Sequence, residues 1–177
     1  MDTTPVVSDH SLLGRAELKR VGWRRFPVSE LRLEGEPIAR LGHLGWLRIY
    51  LGNGVAVRLE DGTPWRIRAA TIGGFVCPLV VDKERRKVAV GRSGGGLYGI
   101  SGRDFGYSLN PGDKRWRSDT KWILRRHEQN VATVSRKPLT FEAVEPVHLG
   151  AALLSLVLIR YGAPDDARPG LPSFHWR

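Results

Sequence analysis

Cysteine is nearly missing from this chain: Cys77 is the only one among 177 residues. A single cysteine excludes an intramolecular disulfide and any zinc site built on several thiolates. Long hydrophobic runs are missing too. The longest, Val147 to Ile159, is interrupted by His148 and Ser155 and falls short of the roughly 20 apolar residues a bilayer-spanning helix needs. The N-terminus, Met1-Asp2-Thr3-Thr4-Pro5-Val6-Val7, has no apolar stretch of the kind a secretory signal requires. A soluble, cytoplasmic protein is the simplest expectation. The histidines, His10, His43, His127, His148 and His175, never fall at metal-ligand spacing, so no metal or cofactor is expected. Negative charge is in short supply as well. Eighteen Asp and Glu face 28 Lys and Arg, for a net charge of +10.

What is present is a globular composition, with 41% apolar residues, and enough chain for one domain with a core of its own. Residues 1–20 start polar and turn mildly helical at Ser11 to Lys19; they read as an N-terminal tail or capping element. From Val21 to Val144 the text becomes short apolar alternations separated by turn residues. Trp46 to Leu51, Val55 to Glu60 and Trp65 to Ala69 alternate with period two, the mark of strands with one buried face. Gly52-Asn53-Gly54 and Asp61-Gly62 separate them, and such pairs favour hairpin turns because they tolerate positive φ. Glu34-Gly35-Glu36 reads as an earlier hairpin tip, and Asp82 to Arg86 joins Phe75–Val81 to Lys87–Arg92. Further strands are expected at Leu97–Ile100, Phe105–Leu109, Lys121–Arg126, Asn130–Arg136 and Leu139–Val144. The total is eleven or twelve, mostly antiparallel.

The period then changes. Glu145-Pro146 reads as a helix start and Gly162 with Pro164 as its stop. Between them the residues are apolar on nearly every side, and a helix of that kind must be enclosed on every side. A many-stranded sheet also has to hide its edges, and closure does so. The fold that meets both constraints is mainly β: a closed antiparallel β-barrel of about 12 strands, residues 21–162, around a buried hydrophobic C-terminal helix at 145–161. Residues 163–177 form a Pro-containing C-terminal tail.

This plan, and the run Trp122-Ile123-Leu124-Arg125-Arg126 through Val131-Ala132-Thr133-Val134-Ser135-Arg136-Lys137 into the apolar segment Val147–Arg160, resembles the tubby C-terminal-like superfamily. That group includes the tubby domains, the LURP-one-related proteins and the phospholipid scramblases. The resemblance implies a barrel around a central helix and, for some members, binding of phosphoinositides or other lipid headgroups.

Enzymatic chemistry finds little support in the residues. Gly94-Gly95-Gly96-Leu97-Tyr98-Gly99 spells G-x-G-x-x-G, but a dinucleotide's pyrophosphate must rest on a helix N-terminus. The stretch after it, Ile100 to Tyr107, has two glycines and no helical period, so a hairpin loop or bulged strand is expected. Ser101 lacks the second glycine of a nucleophile elbow, and no acid–base pair stands out. His148 reads as a capped or hydrogen-bonded structural residue, and Cys77 as a buried, inert thiol.

The charge is uneven: residues 82–126 hold twelve Lys and Arg against five Asp and Glu. Two clusters are candidate anion-binding groups, Arg85, Arg86 and Lys87 with Arg92, and Lys114, Arg115 and Arg117 with Lys121, Arg125 and Arg126. The second interleaves Trp116 and Trp122. Such a mix suits an anionic lipid headgroup, a membrane surface or another phosphate-bearing partner, and it competes with the plain reading of a solvated, Arg-rich surface. Arg48, Arg58, Arg66 and Arg68 would form a cationic stripe if strand register aligned them, and register is not readable from sequence. The expected function is a non-catalytic binding module. Two alternatives are a small-molecule site or weak activity at a barrel rim using Tyr98, Tyr107 or His127, and nucleic-acid binding through the same basic residues.

Overall fold

The computed structural model describes residues 10–22, 28–94, 97–112 and 121–162. In chain order the elements are β1 (Ser11–Val21), β2 (Val28–Leu33), β3 (Glu36–Leu41), α1 (Trp46–Tyr50), β4 (Val55–Leu59), β5 (Pro64–Ile72), β6 (Phe75–Asp82), β7 (Lys87–Gly94), β8 (Leu97–Ser101), β9 (Gly106–Pro111), β10 (Trp122–Arg126), β11 (Gln129–Arg136), β12 (Leu139–His148) and α2 (Leu149–Tyr161). The strands form one closed antiparallel barrel in the order β1-β12-β11-β10-β9-β8-β7-β6-β5-β4-β3-β2. Chain neighbours are barrel neighbours throughout, and the seam between β1 and β12 closes the ring.

The helix explains the closure. Every residue of α2 from Leu149 to Ile159 is buried, and α2 touches β6, β7 and β8 on one side and β11, β12 and β1 on the other. The walls come close. A Cβ at Gly91 of β7 would sit 3.1 Å from Leu158 Cδ1, and one at Gly150 would sit 3.2 Å from Ala89 Cβ. Ser155, the one polar side chain along this stretch, donates its hydroxyl to the Ala151 carbonyl at 2.8 Å, and among the described residues no buried side-chain polar atom is left unpaired.

Three sequence expectations change. Ser11 to Lys19 is strand β1, not helix, so the barrel begins within the segment 1–20 read as a tail. Its buried residues Leu12, Ala16 and Leu18 alternate, but a bulge between Leu12 and Gly14, with Gly14 at φ 98, masks the period. Trp46 to Leu51 is not a strand; it contains α1. Ile49 and Tyr50 turn inward while Leu47 and Leu51 lie one helical turn apart on the exposed side, a pattern that six residues cannot separate from alternation. Finally, α2 begins at Leu149 rather than at 145, because β12 continues through Glu145 and Pro146 to pair His148 with Ser11.

Alternate connections fall at opposite ends of the barrel. The turns after β2, β4, β6, β8 and β10, and the step from β12 into α2, share one end. The opposite end carries α1, the β5–β6 turn, the β11–β12 turn and the last turn of α2. There Leu44 and Ile49 join the core, and the Tyr50 hydroxyl donates to the Gly162 carbonyl at 2.9 Å. This is the α1 end below.

Candidate anion-binding site

Side chains on a strand alternate between the two faces, and in a barrel filled by a helix the outward set is free for other uses. On β3, β4 and β5 that set includes four arginines, while on β6 it is apolar, with Cys77, Leu79 and Val81 in a second buried cluster. Register places Arg40 directly across from Arg58 and Ala56 across from Arg66, and Arg68 follows on the same face of β5. Like charges directly opposite one another are costly in a sheet, so such an arrangement calls for a counter-charge. These four arginines, with Lys83 and Arg85 from the β6–β7 turn, line a cleft of about 830 Å³ on the outer wall. Among the described residues Asp82 is the only carboxylate in the lining.

The cations divide into held and free. Arg40 Nε meets Glu30 Oε1 at 3.2 Å, Arg66 Nη1 donates to the Asn53 carbonyl at 2.8 Å, and Lys83 lies 3.5 Å from Glu84. Among the described residues the side chains of Arg58, Arg68 and Arg85 have no hydrogen-bonding or ionic partner. Asp82 does not neutralise them. Its slight burial raises its pKa, but hydrogen bonds from the Arg86 side chain and backbone outweigh that and hold it below the usual carboxylate range, with Arg86 Nε 2.7 Å away. The cleft therefore offers three unshared guanidinium forks, and such forks match phosphate and carboxylate oxygens in pairs.

Glu30 sets the edge of this site. It is only 7% exposed, takes two hydrogen bonds from Arg32 at 3.0 and 2.8 Å and the contact from Arg40. Glu30→Gln leaves both arginines exposed enough to hydrate, so the expected cost is about 1–2 kcal/mol. Urea denaturation measures it. The same change releases Arg40 into the cleft, and anion affinity should rise rather than fall.

The candidate residues read from the sequence do not form one patch. Arg85 lines the cleft, Arg86 is tied to Asp82 and Glu84, and Lys87 opens β7 beside them. Arg92 lies toward the α1 end of β7. Arg125 Nε donates to Asn130 Oδ1 at 2.9 Å. Arg126 Nη2 donates to the Tyr107 hydroxyl at 2.8 Å, with its guanidinium 5.2 Å from that ring's centre. Both stand on β10, five strands from β5 one way round the ring and seven the other. Lys121 sits at the α1 end, about 17 Å of extended chain from Arg126. Lys114, Arg115 and Arg117 lie outside the described residues. Of the suggested stripe, Arg58, Arg66 and Arg68 do line one cleft, whereas Arg48 is on α1 and outside it. Arg40 and Lys83 were not singled out. Arg40 could have been found from its outward place between Ala39 and Leu41, both buried.

The rim residues divide as well. Tyr98 packs against Trp122, ring centres 5.5 Å apart, toward the α1 end, while Tyr107 and His127 belong to the other. At that other end His148 lies between Phe105, 4.5 Å away, and Trp65, 6.1 Å away, both stacked on it. His10 meets Trp65 edge-on at 5.0 Å. His148 caps α2, its Nδ1 accepting from the Gly150 N–H at 3.1 Å. Burial, then the neighbouring His10, push its pKa down to about 4 against a small opposing pull from Asp104. His148 is the neutral, hydrogen-bonded structural residue its position suggested. The G-x-G-x-x-G text runs from the last residue of β7 into strand β8, with no helix to receive a pyrophosphate. Cys77 is buried.

No family model, curated protein or solved structure matches this chain.

Proposed function

We propose that this chain is a non-catalytic binding module that holds phosphate-bearing, anionic partners, lipid headgroups among them, in the cleft on the β3–β6 wall. One observation carries the reading: Arg58, Arg68 and Arg85 line that cleft, and among the described residues none of their side chains has a counter-charge. The resemblance of the barrel plan and of residues 122–160 to tubby C-terminal-like domains points the same way. This reading places binding in the cleft rather than at the cluster of Lys114, Arg115, Arg117, Lys121, Arg125 and Arg126.

The double variant Arg58→Glu, Arg68→Glu changes two outward side chains and leaves the core intact. Losing two charge-assisted contacts of about 1.5 kcal/mol or more each should weaken binding of inositol hexakisphosphate roughly a hundredfold, read by titration calorimetry at physiological salt. Neutralising Arg115, Arg117 and Arg125 together should change it little. The reverse ranking would move the site to the second cluster. Equal, salt-abolished binding of every polyanion, nucleic acid included, would reduce the reading to generic charge attraction.

A further inference from the structure

Among the described residues the connecting turns place their carboxylates at one end of the barrel, although the β6–β7 and β8–β9 turns there also carry Lys83, Arg85, Arg86 and Arg103. Each hairpin turn at the end opposite α1 carries a carboxylate: Glu34, Asp61, Glu84, Asp104 and Glu128 in chain order. At the α1 end, among the described residues, neither the β3–β4 connection with its helix, nor the β5–β6 turn, nor the β11–β12 turn, nor the last turn of α2 holds one. Cations stand there instead: Arg48 on α1, Arg92 near the end of β7, Lys121, Lys137 and Arg160, all exposed.

Apolar exposure follows the same axis. Of the six large hydrophobic residues exposed among those described, four crowd the α1 end: Leu47 at 66%, Phe75 at 61%, Leu51 at 54% and Leu97 at 44%. They come from three consecutive connections around the ring, β3–β4, β5–β6 and β7–β8. Leu47 and Leu51 share the solvent face of α1. Phe75 and Arg92 line one small pocket of about 300 Å³, an apolar tip beside a cation. A protein groove favours one contiguous apolar patch. Separate apolar tips from neighbouring loops, interspersed with charge of one sign, suit a surface that is soft, apolar within and negative at its face.

We propose that the α1 end docks on an anionic membrane surface, with Leu47, Leu51, Phe75 and Leu97 dipping into the headgroup–acyl boundary and the opposite end, where the turn carboxylates lie, facing away. This rests on the reading of the chain as a binder of anionic partners and adds the orientation. The wall cleft reaches this end at Gly42, Gly52 and Asn53, next to Arg68, while Arg58 and Arg85 stand toward the opposite end.

The test places an environment-sensitive nitrobenzoxadiazole label on the full chain, in a Cys77→Ala background, at Phe75→Cys, at Leu47→Cys and, at the opposite end, at Glu128→Cys. Vesicles are phosphatidylcholine alone or with phosphatidylserine. With the anionic vesicles the labels at Phe75→Cys and Leu47→Cys should shift to the blue and be quenched by brominated acyl chains, while the label at Glu128→Cys stays unchanged. Leu47→Ser with Phe75→Ser should lower vesicle co-sedimentation about tenfold and leave inositol hexakisphosphate binding intact. Pelleting with no shift at the α1 end, or with an equal shift at both ends, overturns the docking. Binding of the soluble phosphate without any vesicle binding also overturns it, and leaves the cleft reading standing. Loss of both kinds of binding in the unaltered chain removes both.

Discussion

Leu154→Asp will leave the chain without a cooperative unfolding transition. Leu154 is fully buried at the middle of α2, with barrel wall on opposing sides, and among the described residues no cation is buried in the interior to meet a carboxylate. A carboxyl there must take up a proton to shed its charge, and that cost together with the lost leucine packing is comparable with the roughly 5–15 kcal/mol by which a domain of this size is stable. The helix cannot turn the new side chain outward, because α2 is enclosed on every face. Leu154→Ala, which only opens a cavity, should still fold and lose about 2–5 kcal/mol. Circular dichroism through a thermal ramp separates the outcomes. A Leu154→Asp protein melting cooperatively near the wild-type temperature would mean that α2 is not the filling of the barrel.

The second large effect is acid destabilisation through His148. In the folded chain its pKa lies at about 4, against 6.5 for a free histidine. Below 6.5 the unfolded chain therefore takes up a proton that the folded chain refuses. The stabilisation is complete above pH 6.5, shrinks as pH falls, and is gone by about pH 4; that gap corresponds to at most about 3 kcal/mol. Protonation would also cost α2 its cap, since Nδ1 could no longer accept from Gly150, and would put a cation at the positive end of the helix. Asn can supply an acceptor to the same N–H but does not titrate. Urea midpoints followed from neutral pH down to about pH 4 should fall steeply for the wild type and less for His148→Asn, the difference approaching that magnitude. Parallel curves would show that the carboxylates alone carry the acid sensitivity.

Much of the architecture was legible before any coordinates. The apolar run from Val147 to Ile159 has no polar side, and that alone demanded enclosure. The hairpin tips at Glu34-Gly35, Asp61-Gly62 and Asp82 to Arg86 were readable because few residues tolerate such turns. Where the reading failed, a local signal was overruled from a distance. Ser11 to Lys19 looks helical until the bulge at Gly14 and its two strand partners are known. Glu145-Pro146 has the chemistry of a helix start, yet pairing with β1 carries the strand on to His148.

The candidate site shows the same division more sharply. The sequence by itself determined that the chain carries an arginine surplus, that some of it lies on alternating strand faces, and that nothing in it assembles a thiolate metal site or a disulfide. Those properties belong to residue type and spacing. Only the tertiary structure decided which cations stand unpaired and side by side. Register set Arg40 against Arg58, Glu30 claimed Arg40, Asp82 claimed Arg86, and Tyr107 held Arg126. The ring separated β10 from β5, and the meander sent carboxylate turns to one end and apolar tips to the other. Charge adds along a sequence whatever the fold. A binding surface depends on which charges remain unpaired and side by side, and that is fixed by contacts between residues far apart in the chain.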